Sequence, residues 1–588
     1  NHDSIAIISS NTFWHAVSYT YDTSGVVIFS DSLYIDSTIN ISELTYYNRY
    51  PMAFQIMSFV TPYGAYLDLG TYGKTWYFDV TDFAPILKGL KRINMTSGGQ
   101  WQEDMDIKFH FIVGTPPRDV VDIQQIWRPQ SKGYTSILNE NSFEPRDVKL
   151  NPNAVSYKLR TVITGHGQEG EFISRDHYLN INGGSIEYTW PVWTECGGNP
   201  IYPQGGTWIY DRAGWCPGQA SDLREDDITS LVTPGQTHNI DYGVTNASGT
   251  SNYWVSSQLV SYKAPNHNLD ASVVDIISPT DKVKYSRINP TCGKPKIIIK
   301  NTGSTNLTSL KIEYWVNGST TKEVQIWNGN LDFEEDETVE LDAPTTIWDN
   351  LLSSNKFYVE ISEPNQSSDE NIYNNYINST FEPTPSYDNV FALWMQTNSG
   401  SIGLNQSETS WKIFDRDNNL TYESAGGGNL MINSQYRDTL IFDDGCYSFI
   451  MTDTDDDGID FWANNDGAGM ARFREIGASW LKVFEGDFGS FIHHEFQVNN
   501  STSYIQEDID TWSFYPNPAK NQVTISGVSN GITDLILLDS LGKQLKKITF
   551  DINGEFKKKL DLSYLKDGVY MLKVITNSEE ILKKVVKI

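Results

Sequence analysis

Two stretches of this chain hold side chains whose types and spacing could do chemistry. The first, WTECGGNPIYPQGGTWIYDRAGWCPG, runs from Trp193 to Gly218 and contains two of the four cysteines, three tryptophans and the adjacent Asp211 and Arg212. Pro200, Pro203 and the Gly205-Gly206 pair exclude a helix, and the missing alternation excludes a strand, so the stretch is an irregular, turn-rich loop. Loops of this length inside compact domains are usually functional. Cys196 and Cys216 enclose 19 residues, whereas Cys292 and Cys446 lie far from them and from each other. A metal site would want closer pairs or nearby histidines, so a Cys196–Cys216 disulfide is the better reading, and it points to an oxidising compartment. Closing that loop is worth ~3 kcal/mol in the chain-entropy model. Cys292 and Cys446 are expected not to bond each other, because a Pro-rich hinge separates them.

The second stretch is DTDDDGIDFWANNDG. Asp453, Asp455 and Asp457 alternate, Gly458 takes the sixth loop position and Ile459 the seventh, where calcium loops use a backbone carbonyl. The twelfth position is Asn464 instead of Glu, and no flanking helices are expected. A Ca2+-stabilised β loop competes here with a solvated acidic turn, since clustered carboxylates repel unless a cation neutralises them. Near the first stretch the imidazoles are His166 and His177, with no His-x-His pattern to hold copper. The pair His493-His494 reads as a surface strand pair.

These residues must be positioned by a β-rich scaffold. At 588 residues the chain is too long for one core, and ~150 residues per domain suggests about four. A net charge of -30 leaves no basic footprint for nucleic acid or anionic lipid. No run of ~18 apolar residues is present, so no membrane span is expected and the protein should be soluble. The start at Asn1 fits a mature chain whose leader has been removed. The 17 Trp and 32 Tyr suit carbohydrate contact, and equally the filling of ordinary β-sandwich cores.

Short segments such as YLDLG, KTWYFDV, IKFHFIV, SYKLRTVITG and SIEYTW alternate between turn residues, the spacing of sandwiches or jelly rolls. Pro, Asn and charge interrupt this pattern in NENSFEPRDVKLNPN, dividing a first domain, 1–148, from a second, 149–264. YKAPNHNLDA reads as a linker to a third, 270–383, and FEPTPSYDN as a hinge to a fourth, 388–500. The polar NNSTSYIQEDID precedes the last, 512–588, which carries 12 Lys, no Arg and 8 acidic residues, in contrast to the acidic remainder. The fold class is therefore all-β: tandem jelly rolls followed by immunoglobulin-like and other β-sandwich modules.

Three resemblances sharpen this. The segments PKIIIKNTGSTNLTSLKIEYWVNG and ETVELDAP resemble the CARDB type of spacer. FYPNPAKNQVTISG, LILLDSLGKQL, LDLSYLKDGVYMLKV and EILKKVVKI resemble, in order, the type A C-terminal sorting domain of the type IX secretion system. That resemblance implies export across the outer membrane of a Bacteroidetes-type bacterium, to a secreted or cell-surface location, with the secretion machinery as partner of 512–588. TVITGHGQEGEFISRDHYLNING, the stapled loop, FVTPYG, FDVTDF and FIVGTP resemble the peptide:N-glycosidase F family, over about residues 40 to 264. That family has two tandem jelly rolls, related in fold to copper monooxygenases, and hydrolyses the amide linking Asn to glycan.

The resemblance implies a site. Amide hydrolysis needs a base to activate water and donors for the oxyanion. Glu171 in GEFISRDH matches the family's second acid and Arg212 in YDRAGW its arginine. Asn48 in YYNRYP, followed by Arg49, stands where the family has its essential Asp, and Asn cannot accept a proton near neutral pH. A third acid falls near Thr96, with no carboxylate in register, and the family's cysteines around Glu171 are absent, replaced by Gly170 and Ile173 or their neighbours. Arg49, Trp208, Asp211 and Trp215 are the candidate substrate contacts. The plainer alternatives are a solvated Glu171, an Arg212 ion-paired with Asp211 or another acid, and tryptophans packed on the disulfide. The reading favoured is a secreted protein that binds glycan or glycoprotein with its amidase site lost or altered and no cofactor in the jelly rolls. An active amidase is the alternative, and copper monooxygenase chemistry a remote one.

Overall fold

The computed structural model describes residues 15–34, 53–96 except 65, 66, 68 and 70–72, 104–499 except 185, 320, 350, 353 and 425–429, and 512–588 except 540–542 and 577–579. Strands dominate, helices are short, and the chain forms two compact units, 1–441 with 445–497 and 442–444 with 498–588.

The region around the stapled loop is a sandwich of two four-stranded antiparallel sheets. One orders Arg118–Gly133, Asn252–Pro265, Ser156–His166 and Leu223–Asp227; the other orders Arg146–Lys149, Thr237–Val244, Arg175–Ile181 and Ile186–Val192. Side chains two apart share a strand face, so Tyr157 and Leu159 point into the core with His177, Leu179 and Ile181 of the other sheet. Leu159 pairs directly with Leu259, both fully buried, and each such burial is worth ~1.5–3 kcal/mol. The strand Arg118–Gly133 belongs to this sandwich, so the boundary expected at 148 falls inside it. NENSFEPRDVKLNPN is the crossing between the sheets: the Trp127 indole donates to the Glu144 carbonyl at 2.9 Å, and Arg146–Lys149 forms an edge strand.

Among the described residues before 118, the regular strands are the hairpin His15–Tyr21 and Val27–Tyr34. Phe83 packs with Ile123, Val260 and Tyr262 on the back of the sandwich. The first expected jelly roll extends over undescribed residues.

Residues 271–381 form facing sheets of three and four strands around Ile297, Ile312, Tyr314, Phe357 and Val359. Residues 386–498 form facing sheets of five and four strands, filled by Phe391, Phe449, Phe473, Phe484 and Phe496, with Phe391 and Phe473 ring centres 4.9 Å apart. His494 lies in this aromatic core and bonds the Tyr387 hydroxyl at 2.9 Å. The expected surface pair is therefore split between the two strand faces, His494 toward this core and His493 toward Glu495 on the other side, and burial pushes the His494 imidazole down to about 3.

Both cysteine pairs are bonded: Cys196–Cys216 as expected, and Cys292–Cys446 against expectation. FEPTPSYDN does not act as a hinge, because a disulfide and hydrogen bonds from loops tie together the domains on either side of it. Glu495, on the strand Phe491–Val498, accepts the Thr291 hydroxyl and the backbone N–H groups of Cys292 and Gly293 at 2.7–2.9 Å, which brings Cys292 beside Cys446 of the adjacent strand Gly445–Asp453.

The second unit is a sheet of Trp512–Tyr515, Gln522–Leu538, Gly568–Ile575 and Glu580–Lys587, with Gln544–Asp561 paired to Gln522–Leu538. Trp512, Ile525, Leu535, Leu572 and Val574 fill its core.

Candidate functional site

Glu171 sits on the helical turn Gln168–Phe172, which follows the strand Ser156–His166. The stapled loop lies against it: Ala213 N–H donates to the Glu171 carbonyl at 2.9 Å, and Thr194 and Arg212 exchange backbone bonds at 2.7 and 3.1 Å. These bonds hold the Arg212 side chain, 1% exposed, beneath the Glu171 carboxylate. Its Nε donates to Glu171 Oε1 at 3.0 Å, Nη2 to the Thr207 carbonyl at 2.8 Å and hydroxyl at 3.3 Å, and Nη1 to the carbonyls of Trp208 and Tyr210. A guanidinium has five N–H donors, and all of them are engaged within the protein. Tyr63, Phe172 and Trp215 pack around it, with ring centres 5.0–5.7 Å away. Burial raises the Glu171 carboxyl above its ordinary range, and the Arg212 charge offsets only part of that.

Arg212 thus pairs with Glu171, not with neighbouring Asp211. Asp211 accepts the Cys196 N–H at 2.9 Å and helps to line a cleft. Trp208 is fully buried and donates to both oxygens of Asp487 at 3.0 and 3.1 Å. Trp215, 7% exposed, donates to the Gly165 carbonyl at 3.1 Å. Neither indole face is open to a sugar, which corrects their expected role; the rings that reach the cleft are Tyr210, 42% exposed, and the half-buried Phe172 and Trp193. Asn48 and Arg49 lie outside the described residues. Thr96 is exposed and accepts a bond from Asn94.

His177 is buried against the Tyr242 hydroxyl at 2.8 Å and His166 bonds Thr164. Among the described residues, no cluster of three close ligands contains a histidine. In the acidic loop, Asp453 and Asp457 converge with Glu408, while Asp455 is exposed and the Ile459 carbonyl accepts the Gly469 N–H.

The stapled loop is also a docking platform. The Arg287 guanidinium, 6% exposed, donates to the carbonyls of Gly197, Asn199, Phe488 and Phe491 at 2.5–3.1 Å. A Cβ on Gly197 would fall 2.9 Å from that of Asp456, so only glycine lets the two loops approach this closely. Beside this contact lies a cleft of about 610 Å3, lined chiefly by Gln168, Phe172, Trp193, Tyr210, Asp211, Asp455 and Asp456. Arg287 and Asp487 carry no local motif and join the site only through the fold, whereas Tyr63 lies in FVTPYG.

The sandwich with its stapled loop and the Lys-rich tail together define a class, that of exported all-β proteins with a glycanase-like domain. Residues 133–260 match the family described as peptide-N-glycosidase F, C terminal, and 513–588 match the secretion system C-terminal sorting domain, the address of type IX cargo bound for the cell surface or beyond. Of particular relatives, the peptide-N(4)-(N-acetyl-beta-D-glucosaminyl)asparagine amidase F of Elizabethkingia miricola is 29% identical over 215 residues, 32% of this chain, and the chain spans 57% of that protein's length. The solved structure of PNGase F from Flavobacterium meningosepticum is 27% identical, covering 26% of this chain and 57% of its own, with a TM-score of 0.22. PNGF-II is 18% identical, covering 25% and 30%, with a TM-score of 0.21. Among the described residues, no helix is long and apolar enough to cross a membrane.

Proposed function

We propose that this protein binds glycan or glycoprotein outside the cell through a peptide:N-glycosidase F-like unit whose amidase site is altered. The observation that carries the reading is the Arg212 guanidinium: with its five donors held by Glu171, Thr207, Trp208 and Tyr210, none is left to stabilise an oxyanion. Asn48 at the expected base position points the same way. The cleft beside the stapled loop supplies what a sugar needs. Tyr210, Trp193 and Phe172 offer aromatic rings, and Asp211, Asp455 and Asp456 accept hydroxyl hydrogens. Its acidic walls favour neutral glycans over sialylated ones.

The amidase reading keeps one observation, the raised Glu171 carboxyl, since a carboxyl poised nearer neutral pH suits general acid-base work. Titration calorimetry of the full chain with a neutral N-glycopeptide tests the binding reading. Saturable binding weakened by Tyr210→Ala and by Trp193→Ala is expected; binding indifferent to both, or none, contradicts it.

A further inference from the structure

We propose that Glu408, Asp453 and Asp457 hold a divalent cation of the calcium type, at a site assembled from separate parts of the fold and not from one contiguous loop. Glu408 immediately precedes the strand Thr409–Asp415, Asp453 ends the strand Gly445–Asp453, and Asp457 stands in the turn that follows. Their carboxylate oxygens lie within 4.8 Å of one another, a span that a cation with ligands at ~2.3–2.6 Å can bridge.

The independent observation is what Glu408 lacks. Its side chain is 3% exposed, yet Oε1 has no hydrogen-bond partner. The backbone closes over it so tightly that a Cβ on Gly400 would fall 1.6 Å from that oxygen. A buried carboxylate oxygen without a donor is costly. Asp457 Oδ1 is likewise without a partner, although Oδ2 accepts the Asn464 amide at 2.6 Å. Asp453 spends its oxygens on the Thr409 hydroxyl and the Asp457 N–H at 3.0 and 3.3 Å, which orients it inward. The charged groups facing the cluster, Asp455, Asp456 and Asp466, are also acidic, and no cationic side chain stands among them. A hard cation with oxygen ligands relieves both the burial of these carboxylates and their mutual repulsion. The remaining coordination positions suit water and the flexible geometry of Ca2+ better than the near-octahedral demand of Mg2+. Bound there, the cation would fix the turn whose Asp456 abuts Gly197 of the stapled loop.

Two expectations separate this site from a contiguous loop of Asp453, Asp455, Asp457 and the Ile459 carbonyl. Asp455 is exposed and outside the cluster, so Asp455→Asn should keep cation dependence; Glu408→Gln, similar in shape but uncharged, should lose it. The test is calorimetric titration of the full chain with CaCl2 after chelation, alongside thermal melts with and without the metal. One site per chain and a melting temperature raised by several degrees are expected for the wild type and Asp455→Asn, with neither change in Glu408→Gln. In metal-free buffer Glu408→Gln should melt no lower than the wild type, which shows that it folds. Absence of binding by the wild type at millimolar Ca2+, or loss in Asp455→Asn with retention in Glu408→Gln, overturns the proposal.

Discussion

Two clusters of charge sit on either side of the same interface and are handled in opposite ways. Under the stapled loop, Glu171 meets Arg212, and every guanidinium donor finds an acceptor in the protein. In the fourth domain, Glu408, Asp453 and Asp457 meet one another, and two of their oxygens find no donor at all. A balanced buried ion pair holds a loop in place and has little capacity left for a ligand. An unbalanced one is complete only when something from solution joins it. The difference also separates the position expected from the sequence to be catalytic from the position proposed to take a cation.

The largest effect should come from breaking the balanced cluster. Arg212→Met leaves the Glu171 carboxylate and the carbonyls of Thr207, Trp208 and Tyr210 without their donor, and removing one member of a buried pair costs ~3–5 kcal/mol. Denaturant unfolding should show that loss, with partial recovery when Glu171→Gln is added. A cost below ~1 kcal/mol would mean that Arg212 is no clamp, and would reopen a role in binding substrate.

Next is the Cys292–Cys446 bond, which spans a sequence separation of 154 and by chain entropy contributes up to ~5 kcal/mol. Replacing both cysteines with serine should split one cooperative transition of the first unit into two, read by calorimetry. A single unchanged transition would show that packing alone couples the third and fourth domains.

A third prediction sets the neutral core of the sandwich against both charged clusters. His177, pressed against Tyr242 and Tyr253, is pushed by burial down to about 3, whereas the unfolded chain takes up that proton near ~6.5. Between these values the folded state binds fewer protons, so stability present at neutral pH is lost as pH falls from about 6.5 toward 3, by up to ~1.4 kcal/mol per pH unit. His177→Gln should flatten that slope. A slope identical to wild type would mean that the imidazole charges in place.

The smallest effect on stability belongs to Tyr210→Ala in the cleft. An exposed side chain of this kind changes stability by about 0.5 kcal/mol or less, so any loss of glycopeptide affinity reports binding and not unfolding.

Much of this was legible in the chain itself. Alternation in SYKLRTVITG and RDHYLNI marked the sandwich strands, and the PNP opening and Lys-rich end marked the sorting tail. Cys196 and Cys216 close a loop short enough to suggest their bond. What was hidden depends on contacts between residues distant in sequence. Glu408 lies 45 residues before Asp453 with no motif around it. Arg287 and Asp487 look like ordinary surface charges until the fold brings them to the stapled loop. FEPTPSYDN has the composition of a hinge, but packing and a disulfide lock the domains it joins. Trp208 and Trp215 showed their type but not their burial, which removes them from sugar binding.

The most direct test of the central claim is to incubate the purified full chain with a denatured N-glycoprotein and weigh the products by mass spectrometry. The account predicts an unchanged glycoprotein that nevertheless binds the chain, with Asn48→Asp at most restoring slow release of glycan. Rapid release by the wild type, unaffected by substitution at Asn48 and abolished by Glu171→Gln, would contradict it and make the protein a working amidase.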